Sequence, residues 1–72
     1  MRTAVISLET STHQFLGKIL RNPDDITPGD IVKTGIRPDA IRRECRILDK
    51  PRQITLNGIP QENQFFAYAV EL

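Results

Sequence analysis

The sequence predicts a small α+β domain: an N-terminal strand, two or three short helices arranged like a helix-turn-helix, and a C-terminal β-hairpin. Three observations carry this. Apolar residues alternate within residues 2–9, an i, i+4, i+7 apolar stripe runs through residues 38–48, and two segments with strand composition close the chain. All 72 residues belong to one domain with a modest core, because a chain this short buries limited surface. The alternative is a small β-barrel-like fold with one helix. Residues 27–35 decide between the two.

In residues 2–9, Ala4, Ile6 and Leu8 share one face of a strand, while Val5 falls on the other. Residues 11–22 place Phe15, Leu16, Ile19 and Leu20 on one helical face. Ser11 and Gln14 there have capping-box spacing, and Asn22-Pro23 supplies a stop. The competing picture is a hairpin that turns through Thr10 to His13; the helix is favoured. At Thr27-Pro28-Gly29-Asp30 a helix start competes with a Pro-Gly turn leading into a short strand, Asp30-Ile31-Val32. Residues 38–48 read as the best helix, with Pro38 in its first turn, Pro51 beyond its end, and Ile41, Cys45 and Leu48 as its buried stripe. Strands over 52–57 and 64–71 follow, joined by residues 57–63. The C-terminal hairpin is expected to pair with the first strand.

Charge is unevenly placed. Arg37, Arg42, Arg43, Arg46, Lys50 and Arg52 fall within sixteen residues against Asp39, Glu44 and Asp49, a local +3 in a chain of net charge +1. Such a balance excludes a protein that coats nucleic acid nonspecifically and leaves room for one local phosphate-binding patch. Those six cations are the expected nucleic-acid contacts. A solvated arginine face on an inert helix would give the same pattern.

The segment TGIRPDAIR, residues 34–42, resembles the core of the winged helix-turn-helix domains of mercury-resistance-type regulators and phage excisionases. The resemblance is confined to residues 27–52. It implies Arg37 and Arg42 as phosphate or base contacts, and RILDKPR as the lead into a wing formed by the terminal hairpin. The function expected on that basis is a non-enzymatic, DNA-binding accessory or regulatory protein, a homodimer contacting duplex DNA.

The alternative is a protein-interaction module or small subunit that binds a partner chain through its apolar terminal strand. There Phe65, Ala67 and Ala69 form one face, the expected partner interface, and Phe66, Tyr68 and Val70 the other. No enzymatic constellation is recognisable, and no cofactor is implied. One cysteine and one histidine build neither a disulfide nor a metal site. The single Cys45 suits a reducing, cytoplasmic compartment, and no stretch reads as a membrane span or a secretory signal.

Overall fold

Hairpins and crossovers of β-structure make up the chain, seen in a computed structural model that describes residues 2–72. The strands are β1 (Ala4–Glu9), β2 (Phe15–Arg21), β3 (Ile31–Lys33), β4 (Glu44–Ile47), β5 (Arg52–Leu56) and β6 (Ile59–Glu71). A single 3-10 turn, Pro23–Asp25, lies between β2 and β3, held by the Asn22 side chain accepting from the Asp24 N–H. The sheet order is β2-β1-β6-β4-β3, with β5 also on β6. β6 is the spine. β1 runs parallel along one of its edges (Val5 opposite Gln64, Glu9 opposite Tyr68), while β5 and β4 take successive stretches of the other edge antiparallel.

The sheet curls until its two ends approach. The Gly35 N–H, just past β3, donates to the Lys18 carbonyl of β2 at 2.9 Å. Among the described residues this is the one backbone hydrogen bond between β2 and the chain following β3, so the barrel is nearly closed with a seam between β2 and β3. Alternation along the strands fills the interior. Ala4, Ile6 and Leu8 of β1 meet Ile19, Val32, Cys45, Ile47, Phe65, Ala67 and Ala69, with Leu16 and Ile26 completing the core. A bulge opposite Leu8 and Glu9 lets β2 turn Leu16 inward beside Phe15, which points outward.

The helix-turn-helix expectation is overturned, because no α-helix occurs among the described residues. Residues 11–22 form the hairpin partner of β1, turning through residues 10–13 with His13 at φ 68° and the Thr10 N–H donating to the Gln14 carbonyl. Gly17 disfavours a helix, and pairing with β1 satisfies the segment's backbone. An isolated helix of this length is marginal in water. Pro28-Gly29 is the turn, closed by the Asp30 N–H to the Thr27 carbonyl, and β3 follows it.

The segment read as the best helix, 38–48, is a loop followed by β4. Ile41 is 75% exposed and Leu48 47% exposed, while Cys45 is fully buried. Cys45 and Ile47 obey the period of two, inward between Glu44 and Arg46. Pairing with β3 and β6 outweighed the helical stripe, a tertiary choice that local periodicity does not contain. The two terminal strands are joined by only Asn57 and Gly58 (φ 52° and 79°), the left-handed pair of a type I′ hairpin turn, so β6 begins at Ile59 and not near residue 64. Pro60 is accommodated because β6 has one neighbour there.

Candidate functional site

Residues 35–42 leave the barrel and return to it as a compact loop. Its base is pinned twice: the Thr34 N–H donates to the Arg43 carbonyl at 2.9 Å, and the Arg43 N–H donates to Thr34 Oγ1 at 2.9 Å. Thr34 is fully buried and spends its hydroxyl on this closure. Inside the loop the Ala40 N–H donates to the Arg37 carbonyl at 3.0 Å. Loops of this kind, short with adjoining ends, are held by their own contacts and often carry function.

Against β2 the loop encloses a groove of about 560 Å³, within the size range of ligand-binding clefts. Phe15 and Leu16 of β2, Ile36, Ala40 and Ile41 of the loop, and Val5 of β1 supply apolar walls. Gly17 presents bare backbone where Thr34 presses against it; a Cβ there would stand 2.7 Å from the Thr34 Cβ. Lys18, Arg37 and Arg43 are the charged residues of the lining. Arg43 is engaged by Glu71, Nη1 to Oε1 at 3.2 Å. Phe15 (63% exposed), Ile36 and Ile41 leave large apolar side chains in water around the opening.

The six expected nucleic-acid contacts do not share one surface element. Arg37 and Arg43 line the groove and Arg42 extends from the loop beside Gly35. Arg46 stands on β4 opposite Val70, Lys50 lies between β4 and β5, and Arg52 opens β5 opposite Phe66. Without a helix at 38–48 they have no common groove-reading face. The expected partner interface is corrected as well: Phe65, Ala67 and Ala69 point into the barrel and are buried, so that face is consumed by the protein's own core. The face left outside carries Phe66 and Tyr68, packed edge-to-face with ring centroids 6.1 Å apart. Tyr68 also meets His13, whose Nδ1 lies 3.5 Å from Glu9.

Phe15, Lys18, Ile36 and Ile41 were missed as a group because Phe15, Lys18 and Ile41 belong to segments read as helical and Ile36 to the turn between two expected helices. One signal was available for Ile36: Gly35 before it and Arg37 placed before Pro38 both disfavour helix there, whereas Pro38 is equally suited to a helix's first turn and leaves Ile41 unmarked. The Cys45 thiol is pushed above its ordinary value, chiefly by burial and further by the Glu71 carboxylate, with Arg43 opposing. It lies in the core and takes no part in the groove. Among the described residues no three His, Cys, Asp or Glu side chains come together as a metal site, and no helix is long and apolar enough to cross a membrane. The fold and groove define a small barrel-like β domain with an open, loop-walled seam. No protein family, characterised protein or solved structure matches this chain.

Proposed function

We propose that this protein is a small non-enzymatic interaction module, an adaptor or subunit that takes a segment of a partner polypeptide into the groove between β2 and residues 35–42. The observation carrying this reading is the cluster of Phe15, Ile36 and Ile41, exposed around an apolar groove in a chain with little core to spare. Contiguous exposed apolar surface of this kind marks interaction sites. The edge of β2 beside it is bridged only at Lys18, which suits main-chain pairing with an incoming strand. The buried, unpaired thiol of Cys45 supports a reducing, cytoplasmic setting.

The test is selection of peptides from a displayed library on the folded protein, with binding mapped by amide chemical shifts. Shifts at Phe15, Lys18, Ile36 and Ile41, lost in Ile41→Asp, are the expected result. Selected peptides that map to another surface, or a library that yields no binder, overturn it.

A second reading keeps nucleic acid as the ligand but moves it to the outer sheet face. Arg46 and Arg52 stand across from Val70 and Phe66, flanking the Phe66–Tyr68 pair, an arrangement suited to stacking single-stranded bases. Titration with single-stranded and duplex DNA at two salt concentrations decides it: a steep salt slope with quenching of Tyr68 fluorescence favours this reading, and no binding removes it.

A further inference from the structure

The groove is charged with one sign. Lys18, Arg37 and Arg43 belong to its lining, and no carboxylate does. Asp39, at the tip of the loop, lies outside that lining. Arg43 already faces Glu71, whereas Lys18 and Arg37 make no ion pair among the described residues. Two unspent cations therefore stand at the opening of an apolar trough. We propose that its occupant is an extended acidic peptide segment bearing a bulky apolar side chain. That side chain seats among Phe15, Ile36 and Ile41, and the flanking carboxylates meet Lys18 and Arg37. The inference rests on the interaction-module reading and specifies the partner's chemistry.

Charge complementarity selects the occupant. A neutral apolar segment would gain nothing from the two cations, and a basic one would meet repulsion at the rim. Nucleic acid would satisfy the cations but not the walls. The groove offers one aromatic ring, Phe15, among aliphatic side chains, whereas single strands are held by successive aromatic platforms. The bulk of Ile36 and Ile41 matches a leucine or phenylalanine side chain better than a base. An extended backbone follows from the seam, because β2 has no strand ladder on that side and an incoming strand would supply one.

Fluorescence anisotropy with defined probes tests this. The first probe is a short labelled peptide alternating aspartate with leucine and phenylalanine. The second replaces every aspartate with lysine, the third replaces the apolar residues with serine, and the fourth is a labelled oligothymidylate. The first is expected to bind, more weakly as salt rises, and the second and third to bind poorly. Double reversal, Lys18→Glu with Arg37→Glu, is expected to weaken the first probe by roughly tenfold and to improve the lysine probe, while Lys50→Glu changes neither. Both reversed residues are exposed, and the gain for the lysine probe shows that the variant is folded. If the lysine probe binds the native groove as well as the acidic one, the acidic inference fails and the module reading stands. Binding by none of the peptides ends both. Tighter binding of the oligothymidylate at the same residues overturns the peptide in favour of a nucleic acid.

Discussion

At the scale of single residues, the seam depends on Gly17 and Thr34. Gly17 sits at φ 150° with Thr34 filling the space where a side chain would be. Gly17→Ala is therefore expected to destabilise the fold by about 1–3 kcal/mol, through overpacking and backbone strain together. Equilibrium urea unfolding measures it, and a loss near zero would show that the seam yields easily. Thr34→Val keeps the volume but strips the acceptor from the Arg43 N–H. A cost of about 1–3 kcal/mol is expected for that unsatisfied donor. Cys45 makes a different statement. Burial raises its pKa on folding from the ordinary 9.0, so the folded chain holds the proton where the unfolded chain begins to lose it. The contribution is complete below pH 9.0 and falls as pH rises toward the raised value. Stability of the native protein measured on both sides of that pH should therefore decline more than that of Cys45→Ala. The native thiol should also label slowly until the chain is unfolded.

Among the elements, the loop 35–42 and the β5–β6 hairpin behave differently from the barrel. Ile41 was expected in the core of a helix, and its truncation would then have been severe. Standing 75% exposed, Ile41→Ala is expected to change stability by no more than about 0.5 kcal/mol while weakening peptide binding in the groove. A large stability loss would contradict the loop's exposed placement. The hairpin reaches beyond the barrel, since residues 59–63 of β6 pair only with β5 and no residue of β5 is fully buried. A two-stranded arm of this kind has little independent stability. Hydrogen exchange should therefore be fast at residues 54–62 and slow in β1 and at Phe65 and Phe66, which are paired on both edges.

For the whole molecule, the decisive contact joins the two ends of the sequence. β1 lies parallel to β6, with Val5 opposite Gln64 and Leu8 opposite Ala67, so the core cannot form until almost the entire chain is in place. Removing residues 64–72 should abolish cooperative unfolding altogether. Refolding should be slow for a chain this small, in the range of milliseconds to seconds, because loop closure over that separation precedes the reward of pairing. Stopped-flow refolding in the microsecond range would contradict the topology. Circular dichroism should show sheet without a helical minimum.

Sequence alone determined that Ala4, Ile6 and Leu8 face one way and that strands stand at both ends of the chain, the last two as a hairpin. Each of these follows from local alternation or from turn chemistry. It did not determine the state of residues 11–22 or 38–48, because their apolar residues fit a helical period better than strict alternation, the first segment serving as a strand only through the bulge at Leu16. Only the presence of β1 beside the first segment, and of β3 and β6 beside the second, selects the strand by completing backbone hydrogen bonds that neither segment can complete alone. The groove was illegible for the same reason. Phe15, Lys18, Ile36 and Arg37 become neighbours only when the sheet curls far enough for Gly35 to reach Lys18, a closure set by the twist of the whole barrel.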